Sequence, residues 1–124
     1  MDNGNALYYE NLHPDDYHYL VKNSISLIGN SSSGIIETPT LGAYTINIGD
    51  RQKGRVKGKS IYDVPCKNKD ISDAISVVIK NDIATDFDNP YFKENSSKKA
   101  YEITKEVLNS NITIKEFYDI NIKN

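Results

Sequence analysis

The chain has 124 residues, 38% of them hydrophobic and 26% charged, with a formal net charge of −2. That is enough for one domain with a buried core and too little for two, and the balance argues against wholesale disorder. It also argues against a protein that blankets nucleic acid, and a single cysteine, Cys66, rules out an intrachain disulfide. No apolar run approaches the roughly 18 residues that span a bilayer. Residues 1–10 show no basic or apolar leader, so a soluble, cytoplasmic chain without a membrane partner is expected.

In chain order, His13 precedes Pro14 and two aspartates, a helix start that sacrifices no needed N–H and sets acids against the positive end of the dipole. Tyr17, Leu20 and Val21 share one face of that helix. His18 is expected on its solvent side. Residues 24–29, SISLIG, form a short apolar run ending in glycine, which predicts a strand buried on both faces. Three serines follow, then IIETPTLG, a predicted helix stopped by a left-handed Gly42. Residues 43–49, AYTINIG, predict a second strand, residues 50–59 a polar loop, and residues 60–65 a third, shorter strand.

Asp70 can cap a helix with Ile71, Ala74, Ile75, Val78 and Ile79 at helical spacing. A loop holding DFDNPYF comes next. Ala100, Ile103, Val107 and Leu108 then mark a helix within residues 94–110, and residues 112–120 suggest a last one. Strands alternating with helices imply an α/β fold, a parallel sheet flanked by helices and joined by right-handed crossovers. Three strands are few for an open sheet of this kind.

The stretch GNSSSGIIE, residues 29–37, lies where a parallel strand turns into a helix, at the carboxyl edge where α/β folds bind ligands. Unpaired N–H groups at a helix start and the hydroxyls of Ser31, Ser32 and Ser33 suit an anion such as phosphate. Glu37, about one turn further on, would repel a phosphate but suits a vicinal diol such as that of a ribose. The plain alternative is that the serines only cap a helix and Glu37 is solvated. Neither a Walker A loop nor G-x-G-x-x-G is present, for Ile35 and Ile36 stand where the former needs lysine and a hydroxyl.

Arg51, Lys53, Arg55, Lys57 and Lys59 place five basic residues within nine positions after the second strand, hence at the same sheet edge. Either they offset a diphosphate bound between this loop and the serines, arginine offering a planar donor fork, or they form a solvated surface loop. Nucleic-acid binding is disfavoured, since no aromatic residues interleave with the basic ones. Cys66 has no histidine or second cysteine beside it, and no cluster in the sequence has the spacing of a metal site.

Together, residues 29–55, GNSSSGIIETPTLGAYTINIGDRQKGR, resemble the uridine-nucleotide segment of the UDP-N-acetylglucosamine 2-epimerases, above all their hydrolysing branch in sialic-acid-type biosynthesis. The resemblance extends in pattern from residue 16 to the C-terminus. It implies the glycosyltransferase-B architecture, two Rossmann-like domains facing across a cleft. It implies that Ser31 and Ser32 bind the diphosphate of UDP, that Glu37 takes the ribose hydroxyls and that Arg51 contacts the phosphates. Ser33 stands at a position that varies in the family, Gly34 is expected to serve the turn, and Arg55 is a weaker candidate.

The reaction implied is elimination of UDP with proton abstraction at C2, then hydration of the glycal at C1, without cofactor or metal. Neither His13 nor His18 aligns with the family's catalytic histidine, so no catalytic residue is assigned here. The resemblance further implies that residues 1–124 are a single domain, the C-terminal part of the nucleotide-binding domain, with the N-terminal domain absent and MDNG the tail of a P-N-x-D-x-G segment. Such a chain is expected to bind UDP or a UDP-sugar at most, without turnover, and a homodimer is conceivable through bare apolar surface. The alternatives are a non-catalytic nucleotide-binding or dimerising remnant, and another UDP-sugar enzyme of the same fold, against which GDRQKGR speaks.

Overall fold

A computed structural model describes residues 5–80 and 87–110. Two compact units are distinguished, Met1–Phe92 and Lys93–Asn124. In the first, the order is α1 (Pro14–Lys22), β1 (Ser26–Gly29), α2 (Ser33–Ile36), a 3-10 turn (Thr38–Leu41), β2 (Tyr44–Ile48), β3 (Ile61–Val64) and α3 (Asn68–Lys80). The strands form one parallel sheet in the order β1-β2-β3, with Ile28 opposite Ile46 and Asn47 opposite Asp63. All three therefore end at one edge, where the serine turn and the basic loop emerge.

Alternation along β2 builds the two layers. Tyr44, Ile46 and Ile48 join Ala74, Ile75 and Val78 of α3 in the core, with Tyr62 and Val64 of β3 and with Phe87, whose ring meets Tyr44 edge-on at 5.2 Å. Thr45 points the other way, and its Oγ1 donates to the Gly34 carbonyl of α2 at 2.7 Å. Ile35, Ile46 and Val78 are almost fully buried, each contributing about 1.5–3 kcal/mol of apolar burial.

Several expectations are corrected. Strand β1 is not buried on both faces: it is an edge strand, α3 packs on β2 and β3, and Ile28 remains 46% exposed. Leu20 is exposed although its neighbour Val21 is buried, so the two do not share one buried face. The single helix expected over IIETPTLG breaks after one turn. Pro39 lacks an N–H and its ring would strike the carbonyl four residues back, so the chain changes to a 3-10 turn capped by Gly42 at φ 79°. Helix α3 starts at Asn68, which puts Asp70 inside the first turn rather than at the cap, and Ile79 is 63% exposed.

In the second unit, α4 (Ser96–Asn109) forms where its periodicity predicts, but Ile103, Val107 and Leu108 are exposed. The expected helix at 112–120 and the MDNG segment lie outside the described residues. Among the described residues, no helix is long and apolar enough to cross a membrane.

Candidate functional site

The turn after β1 differs from the anion cradle expected of a helix start. Helix α2 has four residues, too few to sum much of a dipole, and its first donors are largely spent. The N–H of Ser33 reaches Ser31 Oγ at 3.3 Å, that of Gly34 the Ser31 carbonyl at 3.2 Å, and that of Ile35 the Ser32 carbonyl at 3.0 Å. What the turn offers a ligand is therefore its exposed side chains. Ser31 is exposed and Ser32 half-buried, and Ser32 stands at the helix cap without using its hydroxyl to cap.

Ser33 has a different task. Its Oγ donates to Glu37 Oε2 at 2.7 Å. A hydroxyl carries one proton, so the 2.6 Å contact with Tyr17 is the phenol donating to Ser33 Oγ. His18 Nε2 lies 3.5 Å from the same Glu37 Oε2, which corrects the expectation that His18 simply faces solvent. His18 of α1 thus reaches the Glu37 carboxylate directly and Tyr17 reaches it through Ser33, across 16 to 19 positions of sequence that no local pattern announces. Glu37 itself is 47% exposed, with one oxygen held and the carboxylate open to solvent.

Gly34 is buried inside α2 rather than serving the turn. A Cβ there would come within 2.7 Å of Thr45 Cγ2, so the glycine lets α2 sit directly on β2.

The basic loop is anchored to the serine turn through Asn30. Arg51 Nη1 reaches Asn30 Oδ1 at 3.5 Å, and Gln52 Nε2 donates to the Asn30 carbonyl at 2.8 Å. Arg51 is thereby brought to the residue that precedes the serines. Arg55 is exposed on the same loop, its main-chain N–H closing a turn on Gln52 at 3.4 Å. Gln52 was passed over in the sequence reading. The signal for it was a neutral amide set among basic residues.

Lys57, by contrast, is committed elsewhere. Its Nζ lies 2.8 and 2.6 Å from the two oxygens of Asp63, and Asn47 Nδ2 donates to Asp63 Oδ1 at 2.6 Å. Partial burial pushes the Asp63 carboxyl up, but the hydrogen bonds from Lys57 and Asn47 and the charge of Lys57 outweigh it and hold the group below the usual carboxylate range. A cavity of about 450 Å³ opens at this edge, lined by Gly49, Asp50, Lys53, Lys57, Asp63 and Cys66 among others. Among the described residues, no group of three or more His, Cys, Asp or Glu could hold a metal ion.

This geometry can be set beside known proteins. Residues 1–105 match the family model described as UDP-N-acetylglucosamine 2-epimerase. The chain is 45% identical over 117 residues to the polysialic acid biosynthesis protein P7 of Escherichia coli, covering 91% of this chain and 30% of that protein. Over 58 residues it is 48% identical to the GDP/UDP-N,N'-diacetylbacillosamine 2-epimerase (hydrolyzing) of Campylobacter jejuni, covering 47% of this chain and 15% of the relative. Over 56 residues it is 45% identical to the UDP-N-acetylglucosamine 2-epimerase of Neisseria meningitidis, covering 45% and 15%. The chain thus spans less than a third of the length of these relatives.

Proposed function

The chain belongs to the UDP-N-acetylglucosamine 2-epimerase family, and we propose that its serine turn, Glu37 and Arg51 bind the UDP part of a UDP-sugar in a hydrolysing 2-epimerase. The observation that supports this most is the bond from Ser33 to Glu37, which presents a carboxylate one turn beyond Ser31 and Ser32. A nucleoside diphosphate has that layout: phosphates that need hydroxyl and guanidinium donors, then a diol that needs an acceptor.

In the proposed reaction, UDP-N-acetylglucosamine and water give N-acetylmannosamine and UDP. Loss of the C2 proton and cleavage of the C1–O bond form a glycal, and water adds at C1. Cleavage places negative charge on the departing diphosphate. Donors preset at that point stabilise the transition state, and each is typically worth about 3 kcal/mol. Ser31 and Ser32 would hold phosphate oxygens, Arg51 would exchange its long contact with Asn30 for the diphosphate, and Glu37 would hold the ribose. The groups that move the C2 proton come, on this reading, from outside these 124 residues. A reducing, cytoplasmic setting suits both the single thiol and a nucleotide-sugar substrate.

Equilibrium dialysis against UDP-N-acetylglucosamine, with released UDP assayed in parallel, tests both halves of the proposal. Binding without UDP release is expected. Release above the uncatalysed rate would place the acid-base groups within this chain, and absence of binding would overturn the nucleotide site.

A further inference from the structure

Gln52 is 3% exposed, yet it sits in a polar loop between the exposed Arg51 and Lys53. Its Nε2 donates to the main-chain carbonyl of Asn30, 22 positions earlier, at 2.8 Å. Its Oε1 meets no donor among the described residues. A buried amide with half of its bonding unmet is a poor choice for stability, because the unpaired carbonyl bears a desolvation penalty that an apolar side chain of similar volume would avoid. What only an amide N–H supplies here is a fixed link between the loop and the turn that carries the serines.

Arg51, the adjacent residue, contacts the same Asn30, but through its side-chain oxygen and at 3.5 Å, the outer limit of a hydrogen bond. The loop is therefore clamped at residue 52 and loosely tethered at residue 51. Turns at Lys53 N–H to the Asp50 carbonyl, 3.0 Å, and Arg55 N–H to the Gln52 carbonyl, 3.4 Å, shape the backbone around the clamp. A rigid base with a free guanidinium suits an anion that arrives and leaves, since little is lost when Arg51 gives up Asn30.

We infer that Gln52 is a positioning residue, which clamps the basic loop to Asn30 so that Arg51 faces a diphosphate lying along Ser31 and Ser32. The inference rests on the nucleotide reading proposed above. It assigns Gln52 no contact with the ligand, so its whole effect on binding passes through Arg51.

The test is a double-mutant cycle of wild type, Gln52→Ala, Arg51→Ala and the double variant, read by UDP titration and by NMR amide exchange. Gln52→Ala is expected to speed exchange across residues 50–55 while β2 and α3 keep their protection. It should weaken UDP binding about 5-fold on its own and less than about 2-fold in the Arg51→Ala background, as coupled residues do. Unchanged loop exchange would overturn the clamp. Equal losses in both backgrounds would overturn action through Arg51 and leave a merely structural role. Should Gln52→Ala fail to fold, Gln52→Glu, which keeps the volume and turns a carboxylate toward the Asn30 carbonyl, is judged by the same two criteria. A wild-type chain that does not bind UDP removes the nucleotide reading and the positioning role with it, while the exchange comparison still decides whether Gln52 clamps the loop.

Discussion

Ser33 Oγ lies 2.7 Å from Glu37 Oε2, one helical turn away, and donates a hydrogen bond to that carboxylate. Tyr17 donates to the same hydroxyl at 2.6 Å, so the chain Tyr17, Ser33, Glu37 is a relay of donors that fixes one carboxylate oxygen and presents the other. In the proposed complex the presented oxygen, Oε1, meets the ribose.

Removing the middle of that relay should loosen Glu37 without unfolding the domain. Ser33→Ala is expected to weaken UDP binding about 5-fold, close to the net worth of one typical hydrogen bond, about 1 kcal/mol, and to leave pyrophosphate binding unchanged. Calorimetric titration with both ligands checks this. Equal loss for both would mean that Ser33 serves the phosphates instead.

Gly34 and Thr45 make a steric pair. Gly34→Ala would press a methyl against Thr45 Cγ2, and Thr45 cannot swing away, being buried and bonded to the Gly34 carbonyl. A loss of about 1–3 kcal/mol in urea unfolding is expected. Adding Thr45→Ser removes the obstructing methyl and keeps the hydroxyl, so the double variant should be more stable than Gly34→Ala. A double variant that is less stable would place the strain elsewhere.

Asp63 is expected to make the fold acid-sensitive. Its carboxyl is held below its ordinary value in the folded chain, so the folded state binds its proton less readily than the unfolded one. The stabilisation is complete above the unfolded carboxylate range and is lost as pH falls through the folded value. Asp63→Asn should therefore lower Tm at neutral pH, and the gap from wild type should narrow progressively as pH falls below the ordinary aspartate pKa of about 3.9 toward the depressed folded value. Thermal melts across that range decide it. A gap that persists in acid would show that the Lys57 and Asn47 bonds are not the cause.

Much of the sheet was legible because its signals are local. Residues 43–49 alternate between the α3 face and the α2 face, glycines punctuate the strands, and Ala74 and Val78 recur at helical spacing, so β2 and α3 fall where pattern puts them. The break at Glu37 was also written in the chain, in Pro39 two residues on. The burial of Ile28 was misjudged because an apolar tripeptide does not reveal whether its strand lies at an edge. For the candidate site, motif alone nominates Ser31, Ser32, Glu37 and Arg51, but it does not show that the donors of α2 are spent. The partners of Tyr17, His18 and Gln52 were not legible because each lies 16 to 22 positions away, a separation on which periodicity is silent.

The central claim is a ribose at Glu37. Calorimetric titration of the chain with UDP, beside Glu37→Ala and with pyrophosphate as the second ligand, tests it most directly. Saturable UDP binding that Glu37→Ala loses at least about 10-fold, with pyrophosphate affinity retained, is the predicted result. UDP binding that Glu37→Ala leaves intact would contradict the account and return Glu37 to a solvated helix end held by its neighbours.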